Sequence, residues 1–176
     1  MMRAILFALT TVAVLVFPAS SNAWQCLEFG CPRWQGTIPV GLGPLSADLE
    51  AIAPGTTVLE LDRAITDWAL LSCAAVPFGE PSPTQATLGD LDGISAVGFI
   101  EADWPHDASA IGITSVNTTA CNRVGGCIVE ADAVFNAVNF DWVTVRGALP
   151  EVNAYSIILH ELGHYIGLGH STSSDA

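Results

Sequence analysis

The sequence predicts an α/β fold of the α+β kind, in which two helices pack on one mixed sheet. Apolar positions at steps of three and four over residues 58–71 indicate an amphipathic helix. A second helix is predicted over residues 153–165, where Asn153 is a suitable N-cap. Strand-like apolar segments precede the first helix and fill the region between the two helices. This order of elements is typical of a layered domain around a sheet.

Four segments have the length and apolar character of strands. The first, residues 37–42, precedes the helix at 58–71, and a loop rich in proline and glycine is predicted near residues 77–83. The other three predicted strands follow this loop. They are residues 96–101, residues 109–114 and residues 127–136.

The size and charge of the chain limit its class. It has 176 residues, which suits one domain, and 51% of them are hydrophobic while 13% are charged, so a packed core is expected and disorder is not. The net charge is -13. Nucleic acids and anionic membrane surfaces are bound through basic surfaces, so neither is an expected partner.

Residues 1–23 have the layout of a secretory signal peptide. Arg3 precedes an apolar run over residues 4–17, and Ser21-Asn22-Ala23 forms a small-x-small cleavage site. The alternative is a membrane anchor, but the run is shorter than the ~20 residues that span a bilayer. We therefore expect a secreted domain of residues 24–176, extracellular or periplasmic, with no membrane attachment after cleavage.

The five cysteines all follow the predicted signal peptide, so disulfides are expected in an oxidising compartment. Cys121 and Cys127 flank the Gly125-Gly126 turn and can close a small loop. Because five is odd, one thiol is free, pairs between chains, or pairs with a residue outside this sequence. The pairing of Cys26, Cys31 and Cys73 stays open.

The most informative residues lie near the end of the sequence. On a helix, His160 and His164 project from one face and can hold one metal ion. Glu161 lies beside them and can reach a metal-bound water without being a ligand. Gly167 can end the helix with a positive φ, so His170 can return as a third ligand. Three imidazoles leave one position of a zinc ion open, which is typical of a catalytic site.

The alternative to a metal site is a chance pattern, or histidines whose hydrogen bonds are satisfied in a core. The sequence has four histidines, and three of them fall in this pattern. The fourth, His106, is interpreted as a surface loop residue. The spacing together with its mechanism therefore favours zinc.

The pattern HExxHxxGxxH from His160 to His170, followed by Ser171, resembles the matrixin branch of the metzincin zinc proteases. Residues 130–136, followed by Trp142, resemble the same matrixin branch. Residues 92–99 and residues 110–114 resemble the bacterial matrixin-like proteases.

The resemblance implies that residues 24–176 form a metzincin-type catalytic domain. It implies a mixed, mostly parallel, five-stranded sheet, two long helices, and one catalytic zinc in a cleft beneath an edge strand. A peptide substrate would pair with that edge strand by strand addition. The residues expected to take part are Ala110, Ile111, Gly112 and Ile113.

The sequence departs from the metzincin pattern after the third histidine. Metzincins carry a methionine turn there, whereas the methionines here are Met1 and Met2. We therefore expect the C-terminal subdomain to be truncated in this sequence and the native chain to continue beyond Ala176. Val134 stands where a ligand of a structural zinc would be, so a second zinc is not expected. The propeptide cysteine switch is absent too, since the residues around Cys31 have the wrong order.

The acidic excess has two interpretations. Solvation of a secreted protein accounts for most of the carboxylates. The second interpretation is calcium binding, because acidic residues cluster in the loops between the predicted strands and carboxylates are suitable Ca²⁺ ligands. Asp132 resembles a matrixin calcium ligand, so Ca²⁺ is an optional second cofactor.

These observations predict a secreted, monomeric, zinc-dependent endopeptidase that acts on proteins or peptides. Glu161 would be the general base that takes a proton from water and hands it to the leaving amine. The alternative is a non-catalytic or inactive truncated zinc-binding module, which the missing methionine turn favours. A gluzincin would need a further ligand glutamate well downstream of His164.

Overall fold

The structure of the protein, a computed structural model, describes residues 25–27, 30–43, 55–71, 76–145 and 151–171. The predicted signal peptide and Cys73 lie outside the described residues. The helices are α1 (Thr56–Ala69) and α2 (Ala154–Tyr165). The strands are β1 (Gln25–Cys26), β2 (Arg33–Trp34), β3 (Gly41–Leu42), β4 (Ser82–Pro83), β5 (Ala96–Ile100), β6 (Gly112–Thr119), β7 (Cys127–Asn136), β8 (Asp141–Val143), β9 (Glu151–Asn153) and β10 (Leu168–Gly169).

The main sheet is built around β7. Strands β5 and β2 pair with β7 in parallel, β3 pairs with β5, and β4 pairs with β3. Strand β6 is antiparallel and occupies the opposite edge of β7. The predicted mixed, mostly parallel sheet with two helices is therefore confirmed. It has six strands instead of five because β2 and β5 pair with successive stretches of the same edge of β7.

The predicted strand at 109–114 begins later in the structure, at Gly112, and extends to Thr119. The reason is a turn at Asp107, whose carboxylate accepts hydrogen bonds from the amide and the hydroxyl of Ser109. The amide of Ala110 donates to the Asp107 carbonyl at 3.0 Å, so it is satisfied within the turn. The predicted strand at residues 127–136 has the bounds of β7.

The predicted loop at residues 77–83 is wrong in part, since its end forms β4 at the other edge of the sheet. Pro83 is compatible with this edge because the neighbouring amides make the hydrogen bonds. Ser82 N donates to Val40 O at 3.1 Å, and Thr84 N donates to Leu42 O at 3.0 Å. The missing N–H of Pro83 lies between these donors, on the side away from β3.

Both predicted helices are confirmed, with α1 beginning and ending two residues earlier than expected. Asn153 is the N-cap of α2, as predicted, and its side chain accepts a hydrogen bond from Ser156 N at 2.9 Å. The Trp68 indole donates to Leu159 O at 2.9 Å and so ties α1 to α2. The two helices pack against each other and cover the sheet.

The core between helices and sheet centres on three aromatic rings. Phe99 and Phe135 lie on adjacent parallel strands with ring centroids 5.0 Å apart, and Trp142 packs edge-on against Phe99 at 4.8 Å. Ile158 and Leu162 of α2 are fully buried in the same core. This burial fixes the face that α2 turns toward the sheet and therefore the direction of its other face.

Two disulfides join described residues. Cys121 pairs with Cys127, which confirms the predicted small loop, and Cys26 pairs with Cys31. Among the described residues, no helix has the length and apolar character needed to cross a membrane.

Candidate metal centre

Helix α2 positions three of the residues that the sequence singled out. His160 and His164 lie one turn apart, with ring centroids 4.7 Å apart. Glu161 and His164 are buried, while His160 is half-buried. The core fixes the apolar face of α2. The helical turn that carries His160, Glu161 and His164 therefore lines a cleft.

The chain then reverses at Gly167, which has φ of +98°. A Cβ at this position would lie 2.4 Å from the carbonyl oxygen of Pro32, so both the conformation and the space favour glycine. The amide of Gly167 donates to His164 O at 2.8 Å and closes the end of the helix. Strand β10 follows and delivers His170 next to the two helical histidines.

The three imidazoles converge on one point. Each pair of Nε2 atoms among His160, His164 and His170 is 3.1 Å apart. Nitrogen ligands of a tetrahedral zinc, with bonds of ~2.0–2.1 Å, lie about 3.3 Å apart. Among the described residues, these histidines form the one group of three or more potential ligand side chains whose ligand atoms lie together. The geometry therefore fits a single zinc ion.

The second nitrogen of His164 explains the orientation of its ring. Nδ1 lies 2.7 Å from the carbonyl oxygen of Leu168, which can only accept a hydrogen bond. Nδ1 therefore carries the proton, and Nε2 of the neutral ring keeps its lone pair for a metal. Because this contact uses a backbone carbonyl, the sequence contained no signal for the role of Leu168.

Protonation of His160 is disfavoured. Burial, followed by the neighbouring His164 and His170, lowers the pKa of His160. A lower pKa keeps the imidazole neutral near pH 7, and a neutral imidazole is the form that binds a metal.

Glu161 is 5% exposed, and its side chain extends from α2 toward the edge strand β6. Its Oε2 accepts a hydrogen bond of 2.7 Å from the Thr114 hydroxyl. Burial is the main cause that raises the pKa of Glu161, and the Thr114 hydrogen bond and the two nearby histidines, His164 and His170, act in the opposite direction. Sequence reasoning placed Thr114 on the predicted strand but missed this contact.

The close approach of Glu161 to β6 depends on Gly112. A Cβ at Gly112 would lie 2.8 Å from Oε1 of Glu161 and 2.9 Å from its Cγ. The strand therefore passes over the glutamate at a distance that leaves no room for a side chain at this position.

The site opens into a cleft of about 720 Å³. Of the four residues predicted to bind substrate, Ile111, Gly112 and Ile113 line this cleft. Ala110 instead accepts a hydrogen bond of 2.9 Å from the Asn136 amide group at the end of β7. The cleft edge of β6 pairs with no other described strand.

Asp132 lies apart from the histidines, fully buried in β7. Its two carboxylate oxygens accept hydrogen bonds from Gly89 N at 3.0 Å and Ala96 N at 2.8 Å. Burial raises its pKa to about 6, and the charges of Glu130 and Asp92 add to the shift. These contacts describe a carboxylate that holds a loop to the sheet, and calcium binding at Asp132 stays a prediction.

His106 is exposed in the loop before β6 and packs edge-on against Trp104, with ring centroids 5.0 Å apart, as expected for a surface residue. Cys31 is paired with Cys26, so in this state its sulfur is not available to a metal.

Comparison with known proteins gives one family. Residues 107–176 match the sequence model of the matrixin family. This segment contains the edge strand β6, helix α2 and all three histidines. No curated protein matches the chain. The resemblance to the matrixin-like metzincins is therefore confirmed, and it rests on residues 107–176 together with the histidine triad.

Proposed function

We propose that this protein is a secreted zinc-dependent endopeptidase in which His160, His164 and His170 hold one zinc ion. The observation that carries the proposal is the triangle of Nε2 atoms, 3.1 Å on each side, beside a buried glutamate that is not one of its corners. A structural zinc site would be closed by a fourth protein ligand. Here the three histidines border an open cleft instead.

Zinc bound at this triad would supply a Lewis acid that makes water more acidic and polarises a peptide carbonyl. Glu161 would accept the proton from the attacking water and then transfer it to the leaving amine. Its raised pKa suits this task, because a carboxylate that holds a proton more readily is a better acceptor near neutral pH.

The substrate would be an extended peptide that adds to the unpaired edge of β6. The Ile111 carbonyl already accepts from Asn136 N of β7 at 2.9 Å, and backbone groups alternate in direction along a strand, so Gly112 and Thr114 face the unpaired edge. Backbone hydrogen bonds to Gly112 and Thr114 would align the peptide, and the alternating side chains of the peptide would enter the cleft. Ser156 and Ile157 of α2 line the opposite side of this cleft and would contact those side chains.

Export from the cell is supported by the layout of residues 1–23 and by the two disulfides among described residues. We expect the domain to act as a monomer, since the proposed machinery comes from one chain.

The test is cleavage of casein by the purified protein, with zinc, after removal of zinc by a chelator, and after zinc is restored. We expect cleavage that is lost on chelation and recovered with zinc. Zinc content near one per chain without any cleavage would instead support the alternative, a secreted zinc-binding module without turnover. Absence of bound zinc would contradict both.

A further inference from the structure

The third histidine lies on a loop, and that loop is paired with the N-terminal end of the described chain. Strand β1 is antiparallel to β10, with Gln25 opposite Gly169 and Cys26 opposite Leu168. The amide of Leu27 donates to Gly167 O at 3.0 Å and continues the pairing. We call residues 25–27 and 30–34 the clasp.

The clasp also contacts the start of the loop. The Trp34 indole donates to Tyr165 O at 2.7 Å, and the two rings stack with centroids 5.9 Å apart. The carbonyl of Pro32 lies against Gly167, close enough that a Cβ there would be 2.4 Å away. The clasp therefore contacts the loop along its length, from the last residue of α2 to the residue before His170.

The two arms of the clasp are joined by the Cys26–Cys31 disulfide. One arm carries the β1 pairing, and the other carries Pro32 and Trp34. The disulfide therefore couples contacts at the end of the loop to contacts at its start.

Two groups at the metal centre depend on this loop. His170 follows Gly169 directly, so its ring is placed by the β1–β10 pairing. The carbonyl of Leu168 holds the ring of His164 through Nδ1 at 2.7 Å, and Leu168 itself pairs with Cys26. His160 lies on α2 and has no such dependence on the loop.

We propose that the clasp is a positioning element of the metal centre, and that the Cys26–Cys31 disulfide secures it. A loop that is already ordered loses less conformational entropy when its histidine binds a metal. The clasp also holds the Leu168 carbonyl that orients His164, and such outer contacts change metal affinity. The inference rests on the zinc site of the proposed function but not on turnover.

The test measures the rate at which zinc leaves the zinc-loaded protein in the presence of excess chelator. The variant Cys26→Ser/Cys31→Ser removes the disulfide without leaving thiols that bind zinc. Its matched control is Cys121→Ser/Cys127→Ser, which removes the other disulfide. Cys127 lies opposite Arg33 of the clasp, and this control keeps that backbone pairing and the β1–β10 pairing intact. We expect the first variant to lose zinc about 10- to 100-fold faster, as for loss of other outer-shell contacts, and the second to lose it at the unaltered rate.

A second pair of variants tests the clasp with both disulfides intact. Leu27→Pro removes the amide that donates to Gly167, whereas Leu27→Ala removes most of the same side chain and keeps the amide. We expect faster zinc loss from the proline variant than from the alanine variant.

Equal zinc loss from both disulfide variants would overturn the proposal, because it would show a general effect of lower stability. Unchanged zinc loss from Cys26→Ser/Cys31→Ser and from Leu27→Pro would overturn it as well. Since no substrate is used, a protein that retains zinc through the clasp but cleaves nothing would contradict the proposed activity alone. An unaltered protein that takes up no zinc would contradict the clasp and the proposed function together.

Discussion

The hydroxyl of Thr114 lies 2.7 Å from Oε2 of Glu161 and 3.2 Å from the carbonyl oxygen of the same residue. Both partners are acceptors, so the single hydroxyl proton can be donated to only one of them at a time, and the shorter distance favours the carboxylate. The edge strand proposed to bind substrate is thereby connected to the proposed general base. The same stretch of β6 would therefore set the register of the proposed substrate and holds the side chain of Glu161.

Thr114→Val should lower kcat by about 10- to 100-fold and leave KM nearly unchanged. Valine has the shape of threonine without the hydroxyl, and a hydrogen bond to a charged group contributes about 1.5–3 kcal/mol. The measurement is steady-state hydrolysis of a peptide, with zinc content determined in parallel.

Thr114→Ser is the matched control, because serine keeps the hydroxyl and loses only a methyl group. We expect it to recover most of kcat. If serine is as impaired as valine, the effect comes from packing of the strand and not from the hydrogen bond.

Glu161→Ala should keep the fold and the zinc but lower peptide hydrolysis by roughly 10²–10⁴, the usual contribution of a general base. Glu161 adjoins the histidines without being one of the three converging groups. Zinc content, circular dichroism and kcat are measured on the same preparation. Unchanged turnover would show that another group activates the water.

The unaltered protein should bind one zinc per chain, and His164→Ala should abolish tight binding. Of the three proposed ligands, His164 has a ring that is held by the carbonyl of Leu168. Elemental analysis after dialysis gives the stoichiometry. His106→Ala is the control, because His106 is exposed and lies outside the triad. Equal loss of zinc from both variants would contradict the assigned ligands.

The metal-free protein should become less stable as pH rises through the window from about 4 to 6. Asp132 has its pKa raised from 3.8 to about 6, so the folded state binds more protons than the unfolded state in this window. Stability from this group is therefore present at low pH and is lost as pH rises, by about 2–3 kcal/mol at most.

Urea unfolding of the metal-free protein at several pH values measures this slope. Asp132→Asn is the control, because it cannot ionise and should flatten the profile. It should also be less stable than the unaltered protein at low pH, since one amide oxygen cannot accept from both Gly89 N and Ala96 N. A profile with the same slope in both proteins would assign the pH dependence to other carboxylates.

Much of the secondary structure could be predicted from local patterns in the sequence. The helix α2, its N-cap Asn153 and the strand β7 have the predicted bounds or lie within one residue of them, because capping and a continuous apolar segment are properties of neighbouring residues. The same reasoning was wrong at β4. Pro83 is compatible with a strand only through the sheet edge that it occupies, which the sequence does not specify.

The sequence by itself was enough to single out the three histidines as candidate metal ligands and Glu161 as the candidate general base. A helix places residues four apart on one face, and a glycine with positive φ turns the chain back, so the spacing of the motif already predicts that the three imidazoles converge. Only the tertiary structure decided what surrounds them. Thr114 reaches Glu161 across 47 positions, and Trp34 reaches Tyr165 across 131. Such contacts follow from packing between distant segments, for which residue spacing carries no signal. The contacts of the clasp with the His170 loop, and the two hydrogen bonds that the Asp132 carboxylate accepts, could therefore be identified only from the tertiary structure.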